Sequence, residues 1–173
     1  EYQSDDFTTT TIRPATVCGY SPRQRLDVVV NILTNLAYHK REISIFGGDQ
    51  LRPNIHIADM VEAYKALLVA PKSKIMGQVF NVGCENHSVM ELAKITQKVV
   101  GRHIKLVVTP TSDNRSYHIS SDKIKKELGF QLSYSIEDAI KGLVFAFKEG
   151  LLTDPLDNEF YFNIRRMQNI TLS

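Results

Sequence analysis

Side chains that could do metal, thiol or acid–base chemistry are sparse in this chain and poorly spaced for it. His39, His56, His87, His103 and His118 show no H-x-x-x-H or H-E-x-x-H spacing. That spacing puts two imidazoles on one helix face for zinc, so no metal site is expected. Cys18 and Cys84 form neither a CxxC motif nor a disulfide framework. Both follow expected strands and could lie close in space, and two reduced thiols in a cytoplasmic protein is the reading that compartment favours. Asp59, near the start of a helical pattern, reads as a helix cap rather than an acid. Gly47-Gly48 reads as a turn, because a phosphate-cradling loop needs a strand, more glycines and a following helix.

The elements that must position these residues follow from hydrophobic spacing. Phe7 to Arg13 is Thr-rich and suits a strand. After Pro22, the residues Leu26, Val29, Val30, Leu33, Leu36 and Ala37 recur at three- and four-residue intervals, which marks one face of a helix ending near His39-Lys40. Glu42 to Phe46 alternates as a short strand. Ile55 to Ile57 is a brief strand before a helix whose buried stripe is expected to be Met60, Ala63, Tyr64, Leu67 and Leu68, ended by Pro71. Gln78 to Val82 is a strand closed by Gly83. Ser88-Val89-Met90-Glu91 is a capping box, and the helix it opens buries Val89, Leu92, Ala93, Ile95, Thr96 and Val99 before a left-handed Gly101. Ile104 to Val108 is a strand, Ser121 to Leu128 a helix stopped by Gly129, and Ser135 starts a last strong helix through Phe147. Beyond Gly150 the pattern weakens, and Phe160, Tyr161, Phe162 and Ile164 could dock an extra helix or meet a partner surface.

A chain of 173 residues with 43% hydrophobic content and a net charge of +2 suits one α/β unit with a sizeable core. That charge does not point to nucleic acid, and no basic stripe interleaved with aromatics is present. No apolar run reaches the roughly 18–20 residues needed to cross a bilayer, so no membrane partner is expected. The start, Glu1 to Asp6, has no basic region followed by an apolar stretch and is not read as a signal peptide. The first residue is not Met, and the expectation is that the chain begins inside a longer protein.

Four segments in order carry a resemblance: Ile12-Arg13-Pro14-Ala15-Thr16-Val17-Cys18-Gly19-Tyr20-Ser21-Pro22-Arg23, Ile45-Phe46-Gly47-Gly48, Leu51-Arg52-Pro53-Asn54-Ile55-His56-Ile57-Ala58-Asp59, and Val79-Phe80-Asn81-Val82-Gly83. Together they resemble the C-terminal half of the extended short-chain dehydrogenases, the NAD(P)-dependent nucleotide-sugar epimerases and dehydratases. Members of that family carry a Gly-rich dinucleotide loop and a Tyr-x-x-x-Lys dyad upstream of this region. No tyrosine here has a lysine four places on. The resemblance therefore implies a Rossmann-type α/β fold with a small mixed sheet, in which residues 1–173 are the substrate-binding half plus the last strands of the cofactor domain. The N-terminal dinucleotide-binding half is expected to be absent, and no residue of this chain is expected to be catalytic.

The same resemblance implies roles for individual residues. Gly48 to Asp59 is similar to the pattern Gly-x-x-x-Arg-Asp-[aromatic]-[Ile/Val]-His-Val-x-Asp, whose arginine binds the diphosphate of the sugar nucleotide. Arg52 takes that place, and a guanidinium suits it: a rigid fork of donors that stays charged at any working pH. Pro53 and Asn54 depart from the usual Asp and aromatic. His56 falls on a strand of the pattern and is read as structural. Arg115 lies where the family often has a second phosphate-binding arginine, or else is a solvated loop charge. Thr16 holds the usual place of an Asn that contacts sugar or phosphate. Pro14 would border the nicotinamide as an apolar wall. Arg23 is either a cleft contact or a loop charge, and Asn31 faces the cleft or lies on the helix surface. NAD or NADP is the implied cofactor, a nucleotide sugar the implied substrate, and a homo-oligomer the expected assembly, since the first strand would leave an unpaired edge. The alternative is a non-catalytic nucleotide-sugar-sensing or protein-interaction module of the same fold.

Overall fold

The computed structural model describes residues 3–4, 6–112 and 115–170. Residues 1, 2 and 5 of the N-terminal reading, and residues 113 and 114 just before Arg115, lie outside the described residues. The strands are β1 (Thr11–Pro14), β2 (Thr16–Cys18), β3 (Glu42–Phe46), β4 (Leu51–His56), β5 (Val79–Val82), β6 (Glu85–Ser88) and β7 (Lys105–Thr109). The helices are α1 (Val29–Lys40), α2 (Ile57–Val69), α3 (Lys72–Ile75), α4 (Val89–Val100), α5 (Asp122–Leu128), α6 (Ile136–Lys148) and α7 (Asn163–Asn169), with a 3-10 turn at Glu159–Tyr161.

These strands make three small sheets. β1 and β5 pair in parallel, as do β3 and β7. The middle sheet has the order β2-β4-β6, with β2 parallel and β6 antiparallel to β4. The expected α/β architecture with a small mixed sheet is what the chain adopts. One core cluster lies among α1, α4, α6 and β3 and includes Val30, Leu33, Ile43, Ile45, Leu92 and Ile140. A second, under α2, is built on Ile55, Met60, Ala63, Phe80 and Val82. Each such large side chain removed from water contributes about 1.5–3 kcal/mol. Among the described residues no helix is long and apolar enough to cross a membrane.

Local signals placed several elements well. The Ser88–Glu91 capping box is complete, with the Glu91 N–H donated to Ser88 Oγ at 3.1 Å and the Ser88 N–H to Glu91 Oε2 at 2.7 Å. Ser135 and Asp138 make the same reciprocal pair at the start of α6. Gly129 ends α5 with φ 67°, a left-handed conformation that costs glycine nothing.

Other expectations are corrected. β1 begins at Thr11, not Phe7, because its partner β5 begins only at Val79 after the Gly77 turn. α1 begins at Val29. Residues 19–28 are held instead by side chains that bond to backbone, an alternative that competes with helix. Leu26, expected on the helix, is fully buried from that loop. In α2, Met60, Ala63 and Leu67 face inward while Tyr64 is 48% and Leu68 85% exposed, because only one side of the helix meets β2 and β4. Gly101 is not in the αL conformation; its φ of 157° and ψ of 137° lie in another positive-φ region that L side chains rarely adopt. β6 was not foreseen. Its sequence, Glu-Asn-His-Ser, is polar throughout, and pairing with β4 rather than apolar alternation makes it a strand.

Candidate functional site

Strand β3 delivers Phe46 to the mouth of a cleft, and the turn after it is shaped by one side chain. The Gln50 carbonyl oxygen accepts the Gly48 N–H at 2.7 Å while its amide donates to the Phe46 carbonyl at 2.9 Å. Gly47 sits at φ 76°, and a Cβ there would lie 2.5 Å from the Gln50 amide nitrogen. The chain therefore returns tightly into β4, and Arg52 emerges half-buried one residue along that strand.

Arg52 is next to the segment that carries Arg115. Its Nη1 donates to the Leu51 carbonyl at 3.0 Å and to the Arg115 carbonyl. The guanidinium also lies 5.6 Å from the centre of the Tyr117 ring. That segment is pinned at both ends: the Leu51 N–H donates to Ser116 Oγ at 2.9 Å, and the Asn86 amide makes reciprocal 3.0 Å bonds with the Ile119 backbone. Thus the two arginines expected to hold phosphate come together in the fold, Arg115 through its carbonyl.

Two cavities flank this region. The larger, about 380 Å³, is lined by Arg52, Gln50, Phe46, Asp27, Thr111 and an apolar wall from α1 that includes Val29, Ile32 and Leu33. Phe46, which lines this cavity, is 59% exposed. Arg115 is not among the residues lining either cavity. Sequence reasoning had passed over Phe46, Gln50, Asp27 and Thr111. Only Gln50, two places before Arg52, carried a local signal, its proximity to the Gly-Gly turn.

The smaller cavity, about 290 Å³, has Pro14, Gly19, Arg23, Asn31, Met60 and Tyr64 in its lining. Asn31 is buried, so the helix-surface reading is wrong; its Oδ1 accepts the Gly19 N–H at 3.0 Å and its amide donates to the Arg25 carbonyl at 2.8 Å. Arg23 borders the cavity, yet it donates to the carbonyls of Gln24 and Phe160, each at 3.0 Å, and to Asn163 Oδ1 at 3.4 Å. Thr16 lines neither cavity. It is half-buried on β2, and its hydroxyl has no hydrogen-bond partner among the described residues.

The cap of α2 is His56, not Asp59. His56 Nδ1 accepts the Ala58 N–H at 3.1 Å, which fixes a neutral ring protonated at Nε2, and the ring stacks on Tyr134 at 4.6 Å. Asp59, fully buried, reaches a remote segment instead: its two oxygens accept the N–H groups of Ser133 at 2.9 Å and Tyr134 at 3.0 Å. Burial pushes both thiols up to about 12. β4 stands between β2, which carries Cys18, and β6, which Cys84 precedes; the two are not paired across one ladder, yet the Cys84 thiol adds to the rise at Cys18, as the expected closeness requires. Among the described residues no group of His, Cys, Asp or Glu could hold a metal ion.

Burial lowers the pKa of His56 from its ordinary value of 6.5, against the opposing pull of Asp59 and Asp138. The unfolded chain then binds more protons than the folded one below that value, so stability present above it is lost as pH falls through the folded pKa. Urea midpoints are expected to be lower at about pH 5.5 than at about pH 7.5. His56→Asn, which keeps a capping acceptor, should reduce that difference. His39, shifted the same way by burial, accounts for a remainder. An unchanged pH difference in His56→Asn would assign the effect to other groups.

Residues 1–83 match the NAD dependent epimerase/dehydratase family. The chain is 26% identical over 134 residues to UDP-glucose 4-epimerase 3 of Oryza sativa subsp. japonica, covering 69% of this chain and 36% of that protein. The crystal structure of UDP-glucose 4-epimerase from Thermotoga maritima, with UDP-glucose, matches with a TM-score of 0.70 at 28% identity, over 83% of this chain and 47% of that one. The epimerase Mth375 of Methanothermobacter thermautotrophicus shares the fold, with a TM-score of 0.72 at 20% identity over 84% of this chain and 45% of its own. The chain thus spans about a third of the length of the curated relative and about half the length of the solved chains.

Proposed function

As a chain with the sequence and fold of the NAD-dependent epimerase/dehydratase family, this protein is, we propose, the substrate-binding portion of a nucleotide-sugar epimerase or dehydratase, positioning a nucleoside-diphosphate sugar for hydride transfer. The observation that carries this reading is the placing of Arg52 and Phe46 on one cavity of about 380 Å³, a volume suited to a small ligand. An arginine fork fits a diphosphate, and an exposed ring offers a face on which a base can stack. The α1 wall excludes water along one side, which strengthens the phosphate contact. A uridine nucleotide is the first candidate, since two of the proteins named above are UDP-glucose 4-epimerases.

The smaller cavity supports a place for the sugar and for one edge of the cofactor. Pro14, Val17, Ile57 and Met60 give it the apolar surface a nicotinamide ring would lie against. No Gly-rich loop opening a helix occurs in the sequence to grip a pyrophosphate, so the residues present fit that edge of NAD(P) and not the whole. When bound, NAD(P) supplies the hydride acceptor. This chain's contribution is orientation: a sugar held by its diphosphate loses most of its freedom before reaction. Among the described residues β1 pairs with β5 alone, and the edge this leaves supports self-association into a homo-oligomer.

Calorimetric titration with UDP, GDP, CDP and dTDP tests the reading. Saturable binding of at least one is expected, with UDP first. Assays of the 173-residue chain with NAD and UDP-glucose are expected to show no turnover, because no Tyr-x-x-x-Lys dyad is present to take the sugar proton. Failure of every nucleotide to bind would remove the proposal, and turnover by the purified chain would remove the assignment of a purely positioning role.

A further inference from the structure

The loop 19–28 contributes to both cavities, Gly19, Arg23 and Arg25 to the smaller and Asp27 to the larger. Its own shape does not come from regular structure. Besides the bonds that Gln24 and Asn31 make to its backbone, it is held from outside by the C-terminal segment. The Leu26 N–H donates to the Tyr161 carbonyl at 2.8 Å, Arg23 Nη1 to the Phe160 carbonyl at 3.0 Å, and the Asn163 N–H to Asp27 Oδ2 at 2.8 Å. Beneath these bonds Leu26 and Phe162 are buried in one cluster with Phe147 and Leu152 on the far side of the chain. None of residues 158–169 lines either cavity.

We propose that residues 158–169 are a brace that sets the loop between the two cavities, with Asp27 as the positioning residue through which the brace acts on ligand binding. This rests on the reading of the larger cavity as a nucleotide site. Asp27 is the one carboxylate among that cavity's lining residues, where a diphosphate would meet it with like charge. Two contacts turn it aside: Oδ1 accepts Arg25 Nε at 2.9 Å, and Oδ2 accepts the Asn163 N–H. Partial burial pushes its carboxyl up, but the Arg25 and Asn163 bonds outweigh this and hold it below the usual range, which keeps it an ionised acceptor for both. With the brace in place the loop is ordered before the ligand arrives. Without it, ordering the loop and neutralising Asp27 become costs of binding. By reciprocity, a ligand in the cavity must stabilise the C-terminal segment it never touches.

The decisive variant is Asn163→Pro in the full chain. Proline is well tolerated at the first position of a helix, and the preceding Phe162 is already extended at φ −127° and ψ 97°, so the change removes the donated N–H with little strain. Asp27→Ala is the companion, removing the acceptor. Hydrogen exchange is read over residues 20–28 and 159–169, with and without UDP, beside calorimetric affinity for UDP. The expected result is faster exchange in both segments of Asn163→Pro, including the Leu26 amide, and an affinity lowered at least about fivefold, the low end of ordinary coupling. UDP should also slow exchange in residues 159–169 of the wild type, a response that a merely structural contact would not give. Loosening of residues 159–169 alone, with loop exchange and UDP affinity unchanged, would overturn the brace. If the wild type binds no nucleotide, the nucleotide reading fails and the exchange of residues 20–28 in the free variant still decides the brace: faster exchange there supports it and unchanged exchange overturns it.

Discussion

Arg52→Ala is expected to weaken UDP binding by roughly 10- to 150-fold, because a hydrogen bond to a charged partner contributes about 1.5–3 kcal/mol. The loss has two sources. The first is the guanidinium fork itself, on a residue that lines the cavity. The second is the segment behind it. Arg52 Nη1 ties down the Arg115 carbonyl, and the cation–π contact with Tyr117 goes with it. The Ser116 and Asn86 bonds remain in the variant, so the fold should survive. Arg52→Lys should recover only part of the affinity, since an ammonium is a point charge without the planar fork. Raising salt should weaken the wild type more than Arg52→Ala, as the half-exposed charge is screened. Equal UDP affinity in the wild type and Arg52→Ala would detach the diphosphate from Arg52.

The largest expected effect on stability is at Asp59. Its carboxylate is fully buried and accepts two backbone N–H groups from residues more than seventy positions away along the chain. Asp59→Ala would remove the buried acceptor from two part-buried N–H donors and leave a cavity, and is expected to cost on the order of 3 kcal/mol. The urea midpoint should fall accordingly, with little change in the slope. Asp59→Asn should recover little, because the amide NH₂ that replaces one oxygen confronts an N–H rather than accepting it. The damage should spread to Tyr134, whose ring stacks on His56 and whose N–H is one of the two donors lost. A midpoint unchanged in Asp59→Ala would mean that water replaces the carboxylate at no cost.

Element type was legible where the signal is local. Ser88 and Glu91 specify a helix start within four residues, and Glu42 to Ile45 alternates polar and apolar residues over most of the strand that forms. The 3.6-residue period likewise marked α4 and α6. Boundaries were less legible where a partner sets them. Phe7 to Thr10 has the composition of β1, but a strand needs a ladder, and β5 offers one only from Val79. In α2 the apolar residues cover more of the helix than the core does, so periodicity could not say that Leu68 would face outward.

The same division runs through the site. Arg52 could be read from the order of short motifs around it, because those motifs lie within one turn and one strand of the chain. Its surroundings could not. Phe46 and Asp27 share its cavity, and Arg115 reaches it across sixty-three positions, only because β3, β4 and the segment after β7 are brought together. Arg23 shows the difference most clearly: by sequence a loop cation at a cleft, in the fold a tie to Phe160 and Asn163. The sequence by itself determined the α/β class, the Ser88 capping box, the Gly129 stop and the arginine that lines the cavity, since each depends on neighbours a few residues apart. Tertiary structure alone decided which carbonyls and amides those charges meet, since a hydrogen-bond partner is chosen by distance in space, and only packing sets that distance for residues far apart along the chain.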